Sequence, residues 1–317
     1  MGVVGVGHLG RHHARILAEL DRVDLVGVVD LDGDRARDVA AACGGVPAST
    51  DVAALVDRVD AVAIAVPTRA HLEVALPFLR RGVAVLVEKP LTASVAEADV
   101  FIEAATAGGA VVGVGHSERH NPAVVAAAPL VRKPRFVEVH RLGAFPGRSL
   151  DVDVVFDLMI HDIDVVLSLV EAQIESVEAV GVAVLTNRVD IANARLRFAS
   201  GCIANLTASR ISQERVRKLR FFQPSSYVSI DCDAQEVERW ELVRHPDRPA
   251  SIDGGKLTVE RDEPLKRLVG DFVDAVVGRR SPRVSADDGR RALAVAERIT
   301  RAIESSPAVS GATPGGR

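Results

Sequence analysis

Gly5-Val6-Gly7-His8-Leu9-Gly10 ends the apolar run at 3–5 and opens a helix-compatible stretch that reaches about Leu20. The spacing is G-x-G-x-x-G. Gly5 permits a tight turn, Gly7 lets the backbone approach a pyrophosphate, and Gly10 lets helix and strand pack closely. The first helical turn then offers N–H groups and a positive dipole end to the phosphates. Glycine-rich turns are common, so the hexad alone decides little. Asp30 adds the second half of the signal. It stands twenty residues beyond Gly10, at the end of the β-rich run 25–29, where a carboxylate accepts hydrogen bonds from adenosine ribose hydroxyls. The stretch predicts the first βαβ unit of a dinucleotide-binding fold. A carboxylate at Asp30 also repels a 2′-phosphate and favours NAD; Arg35 and Arg37 follow closely enough to leave NADP open. Only four residues precede Gly5, few for a central strand, so a start a few residues late is expected.

Outward from this unit, unbroken apolar runs recur at 61–66, 83–87 and 110–114 with helical patterns between them. Such strands are buried on both faces, and the alternation predicts an α/β, doubly wound parallel sheet. The pattern changes after His116. Polar-alternating runs follow at 135–142, 177–185, 192–198, 202–209, 216–222, 227–230 and 237–243, with hairpin-like links such as Ala199-Ser200-Gly201. Helices are expected at 153–169 and 287–303. A second α/β domain with an open, mostly antiparallel sheet follows. The expected division is 1–118 for the dinucleotide domain, 119–304 for a substrate and oligomerisation domain, and 305–317 for a disordered Ser/Pro/Gly-rich tail.

Composition agrees. The 317 residues suit two domains, and 48% hydrophobic with 26% charged residues exclude a mainly disordered chain. A net charge of −4 gives no footprint for nucleic acid or an acidic membrane surface. Aromatics at 3% argue against a base-stacking platform. Cys43, Cys202 and Cys232 have no C-x-x-C spacing, which argues against a disulfide framework or zinc ribbon and reads as three small buried hydrophobes in a reducing cytoplasm. No apolar run approaches the ~18 residues of a membrane span, and no basic leader precedes the first strand. A soluble, cytoplasmic protein is expected.

Two further clusters carry chemistry. Glu88-Lys89-Pro90 follows the run 83–87, at the strand end that faces the ligand crevice of a parallel sheet. Pro90 biases Lys89 away from helical dihedrals, and the ammonium would stand beside the reacting oxygen. The second cluster lies in the helix at 153–169. Asp157 and His161 are four apart and share one helical face, with Asp153, Asp164 and Ser168 extending a polar stripe. Val154, Leu158, Val165 and Leu169 supply an apolar side, so the stripe as a whole reads as a solvated face. A histidine oriented by a carboxylate suits a general base near neutral pH. No ligand set has metal-binding spacing.

The G-x-G-x-x-G, the E-K-P after a later strand and the D-x-x-x-H helix entering an antiparallel sheet together resemble the Gfo/Idh/MocA oxidoreductases. The resemblance covers the chain apart from its tail. It implies a Rossmann domain and a C-terminal α/β domain whose open sheet makes a homodimer or homotetramer. It places Lys89, Asp157 and His161 at the reacting carbon. It also implies a cofactor-contacting set of Gly5, Gly7, His8, Leu9, Gly10, Asp30, Pro67, His71, Glu88 and Lys89. The stretches 115–122, 157–164, 190–195, 208–210 and 217–220 are similar to the UDP-N-acetylglucosamine 3-dehydrogenase group of that family, whose 3-keto product serves aminated lipid A; that group usually has Phe where this chain has His120. A sugar-nucleotide substrate needs cations and polar contacts, for which Arg119, Asn121, Arg141, Arg148 and Arg210 are candidates. NAD-dependent oxidation of such a substrate is the expectation; inositol or free-sugar oxidation, or an NAD-binding sensor without turnover, are the alternatives.

Overall fold

A computed structural model describes residues 1–145 and 152–305. The chain forms two compact units, one made of Met1–Ser117 with Glu263–Leu293, the other of Glu118–Asp262 with the chain from Ala294. Arg148 and residues 306–317 of the expected tail lie outside the described residues.

The first unit holds six strands: β1 (Gly2–Val4), β2 (Gly27–Val29), β3 (Ala48–Ser49), β4 (Ala61–Ile64), β5 (Ala84–Val87) and β6 (Val112–Val114). They pair in the order β3-β2-β1-β4-β5-β6, every neighbour parallel. This is the strand order of doubly wound dinucleotide folds, which bind ligands beyond the carboxyl strand ends where the order reverses, between β1 and β4. Every residue of β1, β2, β4, β5 and β6 is buried, which explains their unbroken apolar sequences. Three-residue β1 is central and pairs on both sides, Val3 with Val28 and with Ala63. Five helices intervene: α1 (Gly10–Glu19), α2 (Gly33–Ala42), α3 (Ala53–Val56), α4 (His71–Leu79) and α5 (Val95–Gly108). Helix α1 buries His13, Ala14, Ile16 and Leu17, one stripe at helical spacing. Helix α5 is capped by the Ser94 side chain, which accepts the Glu97 N–H, and ends on left-handed Gly109.

The second unit starts with α6 (Pro122–Ala127) and is built on an eight-stranded sheet: β7 (Phe136–Leu142), β8 (Ile174–Val182), β9 (Ile191–Phe198), β10 (Ile203–Ser209), β11 (Val216–Phe222), β12 (Ser226–Asp231), β13 (Glu236–Val243) and β14 (Ser251–Leu257). Its order is β14-β13-β12-β11-β7-β10-β9-β8. Only β7 and β10 pair in parallel; every other neighbour is antiparallel. In β9 the buried residues Ala192, Ala194, Leu196 and Phe198 alternate with exposed Asn193, Arg195 and Arg197, the period-two pattern of a sheet covered on one face. On the other face Phe136 stacks on Phe222, which meets Tyr227. A π-helical turn, Val155–Met159, leads into α7 (Ile160–Leu169).

One expectation is corrected. Residues 119–304 are not all one domain, because α8 (Pro264–Gly278) and the first part of α9 (Ala286–Glu304) belong to the first unit. Leu268, Val269, Phe272 and Val273 of α8 join Val3, Ala14, Leu17 and Leu86 in one buried cluster. Burying each such side chain contributes ~1.5–3 kcal/mol, and that holds the returning segment. Two of the three cysteines are buried as expected, but Cys43 is partly exposed.

Candidate active site

The carboxyl ends of β1, β2, β4 and β5 place the expected cofactor-contacting residues along one sheet edge. Gly5 follows β1 with φ +82°, open to glycine and strained for other residues. A Cβ on Gly10 would lie 1.7 Å from the Gly5 carbonyl oxygen, whereas one on Gly7 would meet nothing nearer than an Arg35 nitrogen at 3.7 Å. A side chain therefore has no room at Gly10, whereas the backbone at Gly7 lies open. Leu9 and His8 are exposed, and no side chain caps the start of α1. Asp30 uses Oδ2 to accept the Val6 N–H at 2.8 Å and Oδ1 to accept the Asp32 N–H at 3.0 Å. Each oxygen keeps acceptor capacity for a ribose hydroxyl. Arg35 donates to Asp32 at 2.8 Å and lies 3.6 Å from Asp30, and Arg37 pairs with Asp34. Both cations are therefore compensated by acids beside them. These residues fit NAD.

Beyond β4 and β5 the turns are tied together. Pro67, exposed, precedes a short 3₁₀ turn that leads into His71 at the start of α4. His71 is buried, with Nδ1 2.9 Å from the Pro90 carbonyl oxygen and Nε2 3.0 Å from that of Val66. Burial holds its pKa below the ordinary histidine value. Glu88 is buried and faces protein donors with both oxygens: His13 at 2.7 Å and the Lys89 N–H at 3.2 Å. Lys89 is half-buried in this turn. His13 escaped the sequence reading, although it occupies a core position of the α1 stripe three residues after Gly10, where a histidine calls for a partner.

In the second unit Asp157 sits in the π turn and His161 in the first turn of α7, both half-buried. The turn's entry is fixed twice: the Val189 N–H donates to Asp153 at 2.9 Å, and Arg210 donates to the Val152 carbonyl at 2.7 Å. The polar stripe is not a solvated face, and that expectation is corrected. Of its members Asp164 is 2% exposed, and Asp153, Asp157, His161 and Ser168 are half-buried; Asp162, beside the stripe, is also 2% exposed. Arg141, from β7, grips Asp162 through Nε at 2.7 Å and Nη2 at 2.8 Å and reaches Glu118 at 3.2 Å. Arg119 donates to Asp164 at 3.2 Å.

The expected substrate cations are corrected accordingly. Arg141 and Arg210 are buried and their charge is already matched, Arg210 by Asp190 at 2.9 Å. Neither is a free cation for a diphosphate. Asn121 caps α6 through the Ala123 N–H and donates to Glu118 and to the Cys232 carbonyl, a structural use of all its groups. His120 is buried. The acids Glu118, Asp162 and Asp190 were not singled out from the sequence, because their partners lie 20 to 23 residues away. Lys89 thus lies in the first unit, and Asp157 and His161 in the second. Among the described residues no cluster of His, Cys, Asp and Glu could hold a metal ion, and no helix is long and apolar enough to cross a membrane.

Comparison with known proteins identifies two stretches of the chain. Residues 1–116 match the oxidoreductase family with an NAD-binding Rossmann fold, and residues 135–223 match the GFO/IDH/MocA C-terminal domain. The chain is 38% identical over 312 residues, 96% of each protein, to UDP-N-acetylglucosamine 3-dehydrogenase of Acidithiobacillus ferrooxidans. A crystal form of that enzyme superposes with a TM-score of 0.89 over 96% of this chain and 97% of its own. Myo-inositol 2-dehydrogenase of Thermotoga maritima is 25% identical over 98% of this chain and 97% of its own length.

Proposed function

The chain belongs to the Gfo/Idh/MocA oxidoreductase family, and we propose that it oxidises a sugar-nucleotide secondary alcohol, the C3 hydroxyl of UDP-N-acetylglucosamine, to the ketone. The observation that carries this reading is the 38% identity to a UDP-N-acetylglucosamine 3-dehydrogenase across 96% of both chains. The motif residues Lys89, Asp157 and His161 are all present in this sequence. NAD, when bound, supplies the hydride acceptor. His161, oriented by Asp157, takes the hydroxyl proton. Lys89 stabilises the developing alkoxide, an electrostatic effect that grows as water is excluded. The nucleotide and diphosphate provide remote binding energy that positions the hydroxyl.

The open sheet face, with Phe136, Phe222, Tyr227 and half-exposed Trp240, is a self-association surface for a homodimer or homotetramer. Free thiols at Cys43, Cys202 and Cys232 suit a reducing cytoplasm.

The test is NADH formation with UDP-N-acetylglucosamine, free N-acetylglucosamine and myo-inositol, each with hydroxylamine to trap the ketone. Turnover of the UDP-sugar, with free sugar slower by ~10³-fold or more for want of its anchors, supports the reading. Turnover of inositol or free sugar with none of the UDP-sugar moves the protein to polyol oxidation. NAD binding without any turnover makes it a sensor.

A further inference from the structure

His13 and Glu88 are 75 residues apart in sequence and meet inside the first unit, His13 on α1 and Glu88 just beyond β5. They are 1% and 6% exposed. A carboxylate oxygen only accepts, so the 2.7 Å contact has His13 Nε2–H donating to Glu88 Oε1. The Nδ1 of the same ring is buried with no hydrogen-bond partner.

The other oxygen of Glu88 accepts the backbone N–H of Lys89 at 3.2 Å. A Cβ on Gly115, just beyond β6, would lie 2.7 Å from that oxygen, so the carboxylate occupies room that any side chain at 115 would need. Burial pushes the Glu88 carboxyl up, but the hydrogen bond and positive charge of His13, followed by the charge and backbone N–H of Lys89, outweigh it and hold the group below its usual range. A buried anion is costly unless fully partnered. Here helix, strand end and neighbouring glycine all accommodate one.

We propose that Glu88 and His13 form a positioning couple for Lys89, in which the carboxylate fixes the lysine backbone and His13 anchors that carboxylate to the dinucleotide-facing helix α1. The inference rests on the reading of Lys89 as a catalytic group. It divides the labour within Glu-Lys-Pro: the lysine acts on substrate, and the glutamate acts on the lysine through the protein. His71, between the Pro90 and Val66 carbonyls, clamps the same turn from its other side.

The chain has five lysines, Lys89, Lys133, Lys218, Lys256 and Lys266, few enough for ¹³C-dimethyl-lysine NMR on the NAD-free protein, with Lys89→Arg assigning the signal. His13→Ala and Glu88→Gln should move or broaden the Lys89 signal and leave the other four in place. The same variants should lower kcat at least about tenfold, because a misplacement of order 1 Å can cost ~10²-fold. NAD affinity should fall by less than kcat does, since both Glu88 oxygens already face protein donors. His13→Gln keeps one donor for Glu88 and should recover most of both readouts. An unchanged Lys89 signal in His13→Ala and Glu88→Gln overturns the couple. So does an NAD affinity that falls as steeply as kcat, because Glu88 would then act on the dinucleotide itself. The NMR readout needs no turnover, so a Lys89→Ala enzyme of normal activity would overturn the role of Lys89 while leaving the couple separately tested.

Discussion

Arg141 holds Asp162 with two hydrogen bonds of 2.7 and 2.8 Å, and Asp162 is the residue that follows His161. The guanidinium also faces Glu118 at 3.2 Å, and the two carboxylates keep it charged despite its burial. One buried cation thus serves two anions. Arg141→Met strips both carboxylates of their main partner and should cost ~3–5 kcal/mol in urea unfolding. Asp162→Asn leaves Glu118 to balance Arg141 and should cost less. Equal losses, or the reverse order, would contradict this account of the cluster.

Asp190 makes the acid limb of stability testable. Its carboxylate accepts the N–H groups of Val184, Leu185 and Thr186 at 2.7–2.9 Å, together with Arg210. Burial alone would raise its pKa, but these donors win and hold it well below the usual carboxylate range. A folded pKa below the unfolded one gives stability that is complete above the unfolded value of ~3.9 and fades as pH falls towards the folded value. The Tm advantage of the wild type over Asp190→Asn should therefore be constant near neutrality and shrink from about pH 4 to pH 2. An advantage that grows on acidification would contradict the assignment.

Much of this architecture was legible in the sequence, and the misses have physical reasons. The glycine hexad, Asp30 and the apolar runs at 61–66 and 83–87 are local signals, and each marks the element it predicted. Helix α8 has Leu265, Leu268, Val269, Phe272 and Val273 at helical spacing, yet nothing local says that it returns to the first unit. Strand β14, with Gly254-Gly255 and little alternation, exists because β13 offers it an edge. The π turn adds one residue per hydrogen-bonded ring, which a residue pattern does not reveal. Arginines 119, 141 and 210 look like ligand cations in the sequence because their buried acids are distant along the chain. Charge at a site can be counted only after its partners are known.

Cofactor choice rests on the acids around Arg35. Asp30 and Asp32 both face that guanidinium, so a 2′-phosphate would enter a corner of net negative charge. NAD should bind at least about tenfold tighter than NADP, worth ~1.4 kcal/mol. Asp32→Ser should release Arg35 and narrow the gap by improving NADP, whereas Asp30→Ala should narrow it chiefly by weakening NAD. Titration calorimetry giving equal affinities for the wild type would refute the preference.

The proposed acid–base set predicts a split between chemistry and binding. Lys89→Ala and His161→Ala should each lower kcat by ~10²–10⁴-fold with NAD affinity near wild type. Asp157→Asn should cost less if its task is orientation. Near-normal kcat in His161→Ala would remove the general base from the mechanism.

In the proposed reaction hydride leaves C3 of a UDP-bound sugar. Substrate deuterated at C3 tests it most directly, with the nicotinamide product weighed after turnover in the presence of hydroxylamine. That reaction gives reduced cofactor one mass unit heavier from UDP-N-acetylglucosamine deuterated at C3, and unlabelled cofactor from substrate deuterated at C4. Unlabelled cofactor from the C3 substrate would contradict it.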